Sequence, residues 1–264
     1  MEGAAVLSTR EAAVISAYDQ ASPSVVNIVD AARAGARPMQ AEAGVSEGNG
    51  SGVVWAERDG GYVVVTNFHV LPSLQGAGPD AARRRPVVAQ VSVLTTAGRS
   101  ETYRGTLLGF DRSRDLAVLL IPAPPGSLRS VQLSPRPARV GQQVLAIGNP
   151  FGFERTLTVG VVSAVDRDIA SPTGQRIVGG IQTDAAINPG NSGGALLDTA
   201  GQLIGVCRAW RPLSACSVHQ WPSWTLTRPC LSEKTSSLSP LSQASTRPSS
   251  RPAAPSAAWA LRSP

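Results

Sequence analysis

The first hydrophobic pattern along the chain has helical spacing. Val14, Ile15 and Tyr18 form an apolar stripe, and Ser8 and Glu11 before it stand at the spacing of a capping box. The pattern predicts a short helix that stops before Ser22-Pro23, because the residue ahead of a proline is pushed out of the helical region. Ser24 to Val29 then reads as a strand. Residues 31–49, rich in Ala and Gly with no period, read as a loop. From there to Val206 the chain is a series of short β-branched runs: 52–55, 62–66, 87–93, 116–121, 143–147 and 159–165. Asp59-Gly60, between the first two, is a hairpin signal. Many short strands with Gly and Pro punctuation and almost no helix predict an all-β barrel or sandwich. The Pro-rich stretch 122–136 separates two sets of strands, which fits two small barrels in tandem. Residues 72–86, with Arg83-Arg84-Arg85, read as an exposed insertion.

After Val206 the β-branched pattern stops. Four of the five tryptophans (Trp210, Trp221, Trp224, Trp259) and all three cysteines (Cys207, Cys216, Cys230) fall in 207–264, among scattered Ser and Pro. The charge breaks at the same place. Up to Val206, 17 arginines balance 17 acidic residues, so the net +6 belongs wholly to the tail. A basic tail of this kind is expected to be unstructured, and no nucleic-acid function is assigned to it. The three cysteines match no zinc spacing. No run of about 20 apolar residues occurs, so no membrane span is expected. Met1-Glu2-Gly3-Ala4 lacks a basic region followed by an apolar one, so no secretory leader is expected either.

Three short motifs carry candidate chemistry. In Gly190-Asn191-Ser192-Gly193-Gly194, glycines beside a serine permit a tight turn whose N–H groups converge on one point. A serine hydroxyl needs a base to become a nucleophile. The chain has two histidines, His69 and His219, and His219 lies in the aberrant tail, which leaves His69, in Thr66-Asn67-Phe68-His69-Val70, as the base. In Asp111-Arg112-Ser113-Arg114-Asp115-Leu116, an acid at the mouth of an apolar strand can accept from the imidazole and fix its tautomer. Asp115 is preferred, with Asp111 as a rival read as a solvated turn residue. The order His, Asp, Ser is that of chymotrypsin-like enzymes.

Thr66–Val70, Asp115–Leu119, Gly148-Asn149-Pro150-Phe151-Gly152 and Thr183–Gly194 together resemble the signatures of HtrA/Deg serine proteases, over about residues 10–206. Arg155–Gly160 and Val162-Ser163 are similar to the plant and algal members. The resemblance implies an all-β chymotrypsin-like double β-barrel and ATP-independent endoproteolysis of unfolded or damaged proteins. It also implies trimer-based homo- or hetero-oligomers with Deg subunits, and neither metal nor organic cofactor. By the same resemblance Ser192 is the nucleophile, His69 the base and Asp115 its orienting acid. The N–H groups of Gly190 and Ser192 form the oxyanion hole. Ala186 and Ile187 open the substrate pocket, whose apolar lining favours small aliphatic side chains. Arg167 to Val178 falls at the sensor loop. Localisation is expected in the chloroplast, with the thylakoid lumen as one site and a bacterial periplasm as the alternative.

The family's continuation past Gln202–Val206, a pocket wall, an activation loop and a last barrel strand, is not recognisable here, and no PDZ domain follows. The expected division is therefore a lead-in helix in 1–23, the protease domain in 24–206, and a disordered, frame-shifted or intron-derived tail in 207–264. The second barrel is expected to lack its last strand. An open sheet edge predicts a weakly active or aggregation-prone chain. The alternative function is an inactive Deg subunit that binds other protomers or unfolded chains.

Overall fold

The computed structural model describes residues 7–32, 48–150, 155–170, 176–208 and 216–219. The predicted helix, α1, spans Thr9–Ala21. Its cap is the one the sequence spells: the Glu11 N–H donates to the Ser8 hydroxyl, and the Ser8 N–H donates to the Glu11 carboxylate at 2.7 Å. Ala17 and Ala21 face the core, the Tyr18 hydroxyl donates to the Arg155 carbonyl, and Arg155 Nε donates to the Val25 carbonyl. Burial lowers the pKa of that guanidinium from its ordinary value.

Six strands follow and close into a barrel: β1 (Val25–Asp30), β2 (Asn49–Arg58), β3 (Gly61–Asn67), β4 (Val87–Leu94), β5 (Ser100–Asp111) and β6 (Leu116–Ile121). Their order around the barrel is β1-β2-β3-β6-β5-β4, and antiparallel pairing of β1 with β4 closes it. The Asp59-Gly60 turn joins β2 to β3, with Arg58 opposite Gly61. Most of the loop expected at 31–49 lies outside the described residues.

The second set comprises β7 (Gln143–Gly148), β8 (Thr156–Ala170), β9 (Arg176–Thr183), β10 (Ala195–Asp198), β11 (Leu203–Val206) and β12 (Cys216–His219). They form one sheet in the order β11-β10-β7-β8-β9-β12. The β12 strand arises where the sequence pattern offered none: Cys216 to His219 pair antiparallel with Thr183 to Gly180. An exposed edge of β9 presents unpaired N–H and C=O groups, and any extended segment that reaches it satisfies them whatever its side chains. Among the described residues no ladder joins β12 to β11, so this sheet does not close as the first does.

Both faces of the central strands are buried, which is why they read as continuous apolar runs rather than alternating ones. In β7, Val144 and Ala146 face one core, while Leu145 and Ile147 face the other. In β3, Tyr62 and Val64 point into the first barrel; Val63 and Val65 point toward the second sheet. The seam between the two sheets is itself a core. Val25, Val53, Val63, Val65 and Leu116 meet Leu145, Ile147, Leu197, Leu203 and Val206 there.

The insertion at 72–86 is more built-in than its composition suggests. Leu74 and Ala81 of this segment, with Leu71 just before it, are buried in the core of the first barrel. Arg112 holds the same segment from β5's end. Its guanidinium lies over the Phe68 and Phe110 rings and donates to the carbonyls of Gln75 and Ala77. The Arg83–Asp80 pair remains on the surface.

Candidate active site

His69 sits in a single 3-10 turn, Phe68–Val70, directly after β3, and Asp115 immediately precedes β6. Since β3 and β6 pair with Asn67 opposite Leu116, the register alone brings the two residues together. Asp115 is 4% exposed and has φ +54, a left-handed conformation unusual for a non-glycine residue. Contacts on every side hold it there. Its carbonyl accepts from the Phe68 N–H at 2.9 Å and from Asn67 Nδ2 at 3.0 Å. Its Oδ1 accepts from the His69 backbone N–H at 2.9 Å. Its Oδ2 lies 2.6 Å from His69 Nδ1. A carboxylate can only accept, so Nδ1 carries the ring proton and Nε2 is left as the acceptor.

The rival acid is occupied elsewhere. Asp111 Oδ1 accepts from the Ser113 N–H and hydroxyl and from the Arg114 N–H, and its Oδ2 pairs with the Arg114 guanidinium at 2.7 Å. Burial acts to raise the pKa of this carboxyl, but the Ser113 hydroxyl and then Arg114 outweigh it and hold it below the ordinary value. A group depressed in this way adds stability above its unfolded-state pKa, and loses it as pH falls through the folded one. Asp111→Asn is therefore expected to cost ~1 kcal/mol at pH 7. That deficit should shrink as pH drops below about 4; urea unfolding across this range checks it.

Ser192 lies in the loop between β9 and β10, 2% exposed, after the 3-10 turn Pro189–Asn191. One residue of the first barrel that the sequence reading did not single out holds this loop. The Ser51 N–H donates to the Ser192 carbonyl at 2.8 Å, and its hydroxyl donates to the Gly190 carbonyl at 2.7 Å. The same hydroxyl accepts from the Asn149 N–H at 2.7 Å, and the Thr66 hydroxyl donates to the Ser51 carbonyl at 2.7 Å. Asn27 adds a second bridge, donating to the carbonyls of Asn149 and Pro150. The signal available in the sequence was a polar residue inside an apolar run: Asn27 interrupts Val25-Val26 and Ile28-Val29.

On the other side, the Gly193 N–H donates to the Cys207 carbonyl and the Cys207 N–H to the Gly194 carbonyl, both at 2.8 Å. The pairing begun by β10 and β11 thus continues for one residue past the point where the sequence changes character. It delivers Arg208 into the site. This guanidinium is 2% exposed, with Nε 2.7 Å from the same Asp115 Oδ2 that faces His69. An arginine two residues after a buried apolar strand was the available sequence signal, but it read as the start of the tail.

The nominated pocket residues precede Ser192 in the same loop. Ala186 is exposed and Ile187 half-buried against the second sheet's core. The Ala186 carbonyl accepts from the Thr158 hydroxyl at 2.8 Å, which ties this segment to β8. Phe151 and Gly152 of the Gly148–Gly152 motif, and residues 171–175 of the nominated sensor loop, lie outside the described residues.

An imidazole fixed by a buried carboxylate, at the seam of two β-units and beside a glycine-flanked serine loop, is the architecture of one large group of enzymes. The profile of the Trypsin-like peptidase domain matches residues 50–206. The chain belongs to that family. Protease Do-like 8, chloroplastic, of Arabidopsis thaliana is 47% identical to this trypsin-like chain over 195 residues, covering 74% of the chain and 42% of that protein. Protease Do-like 1, chloroplastic, of the same plant is 41% identical over 215 residues, covering 80% and 44%. The crystal structure of Deg5 superposes with a TM-score of 0.63 at 37% identity, over 81% of this chain and 91% of that one. The peptidase domain is thus homologous to the HtrA/Deg proteases and has their chymotrypsin-like fold. The chain spans less than half the length of the two Do-like proteases.

Proposed function

We propose that this chain is a serine endopeptidase of the HtrA/Deg type that cuts unfolded or damaged polypeptides without ATP. The observation that carries the reading is the 2.6 Å contact between His69 Nδ1 and Asp115 Oδ2, with the backbone of the Ser192 loop bolted to the same barrel through Ser51. In this reading Ser192 Oγ attacks the scissile carbonyl while His69 Nε2 takes its proton. The developing imidazolium is stabilised by Asp115, and the oxyanion by the N–H groups of Gly190 and Ser192. His69 then returns the proton to the leaving amine, and water repeats the sequence on the acyl-enzyme. Ala186 and Ile187 carry no charge, so the pocket they begin favours small aliphatic side chains before the cut.

The protease unit is assigned to residues 24–206, with the helix of 1–23 leading into it. The two chloroplastic relatives support a chloroplast location; the thylakoid lumen within it and trimer-based assembly with Deg subunits belong to this proposal. The test is a fluorophosphonate probe on the full chain, read by intact mass. One adduct per chain, lost in Ser192→Ala, is expected. A soluble, cooperatively folded chain that takes no adduct would overturn the reading.

A further inference from the structure

We infer that Arg208 is a positioning residue that damps the serine site by taking a share of the Asp115 carboxylate. The inference rests on the assignment of His69, Asp115 and Ser192 as the catalytic group. Asp115 has two carboxylate oxygens, and the structure gives each a partner on the His69 side: Oδ1 takes the backbone N–H at 2.9 Å, and Oδ2 faces Nδ1 at 2.6 Å. Arg208 Nε approaches Oδ2 as well, at 2.7 Å, from a fully interior position. One oxygen therefore accepts from His69 and also stands in an ion pair with a permanent cation.

The consequence follows from charge. During attack the imidazole must become an imidazolium, and the buried carboxylate that fixes its tautomer also makes that charge cheap to form. A guanidinium on the same oxygen neutralises the carboxylate and adds a positive charge within a few ångströms of the one that must develop. In an interior site this interaction is poorly screened. The Nδ1–H···Oδ2 bond also weakens, because the neighbouring cation lowers the effective charge of its acceptor. Other charged groups near the dyad do not offset this: Asp111 and Arg114 are paired to each other, and Arg112 is engaged with Phe68, Phe110 and the 75–77 carbonyls.

The placement is built rather than incidental. Cys207 is bonded through both its N–H and its carbonyl to the Gly193-Gly194 backbone and is fully buried. The residue after it has no choice but to enter at the level of the Ser192 loop. Arg208 is thus coupled to that loop through two backbone bonds, and whatever moves the segment after Val206 moves the cation on or off Asp115.

The experiment compares the full chain with Arg208→Met, which keeps the bulk and removes the charge, and Arg208→Lys, which keeps the charge. Rates of fluorophosphonate labelling at Ser192 are measured for each, with Ser192→Ala as the blank. Labelling on the order of tenfold faster in R208M is expected, with R208K remaining near the parent rate. A structural role predicts the opposite order, since losing a buried ion pair would slow R208M and conserving the charge would rescue it; that result, or equal rates, overturns the inference. Should R208M fail to unfold cooperatively, Arg208→Gln carries the same comparison. The Nδ1–H proton resonance of His69 decides independently of labelling. It is expected to move downfield in R208M or R208Q, and an unmoved resonance overturns the inference even if no protein labels. Absence of the adduct in every variant would remove the peptidase reading instead, so the two failures are distinct.

Discussion

Asp115→Asn is expected to lower turnover about 10³- to 10⁴-fold, measured as kcat/KM on an unfolded substrate and normalised to folded protein. The reason is donor against donor. Asp115 accepts from the His69 backbone N–H at Oδ1 and faces both Nδ1 and Arg208 Nε at Oδ2. An asparagine must put its NH₂ at one of these two places. Turned toward Oδ2, it donates to Nδ1, which forces the ring proton onto Nε2 and leaves no base for Ser192. Turned toward Oδ1, it clashes with the His69 N–H and loosens the turn that carries the ring. Either orientation also takes the charge from the carboxylate facing the buried Arg208. A stability loss of ~3 kcal/mol therefore accompanies the kinetic one, and thermal unfolding separates the two. Activity within tenfold of the parent would mean that Asp115 does not set the tautomer.

Gly193→Ala is expected to be the most destabilising single change near the site, ~4 kcal/mol. Gly193 has φ +85, and a Cβ there would run into the Ser51 carbonyl oxygen and the Thr66 hydroxyl. A left-handed conformation alone costs an alanine about 1–2 kcal/mol. The rest comes from displacing a backbone carbonyl that already accepts the Thr66 hydroxyl. Because Ser51 ties Gly190, Ser192 and Asn149 together, the shift spreads through the loop, so labelling at Ser192 should fall with stability. A melting point about 10 °C below the parent is the expected reading. A change of less than 2 °C would show that the loop can relax independently of the first barrel.

The helix at the start and the strands of both sets were legible in the sequence because each depends on local chemistry. Ser8 and Glu11 cap a helix by their spacing alone, and Asp59-Gly60 makes a two-residue turn wherever it stands between strands. The order His69, Asp115, Ser192 needed only three short motifs. Runs such as Gln143–Gly148 announced burial but not the faces, because both faces are buried and no alternation survives to tell them apart.

Other features were decided only by tertiary structure. The sequence preferred Asp115 over Asp111, but the contact of Asp115 with His69 came from the β3–β6 register, a pairing between segments about 50 residues apart that no local pattern encodes. Ser51, Asn27 and Thr66 act through partners on another strand or another barrel, so each looked like an ordinary polar residue in a strand. The insertion at 72–86 read as solvated from its arginines, but Leu74 and Ala81 found a core to fill. The segment after Val206 shows the limit most plainly. Composition marked it as foreign to the fold, yet backbone N–H and C=O groups pair without regard to side chain. Cys207 therefore extends the pairing of β11 and Cys216–His219 covers the edge of β9. Sequence by itself supplied the candidate His, Asp and Ser and the β pattern; the backbone's need for partners at the sheet edges determined where the last described residues went, and with them the position of Arg208.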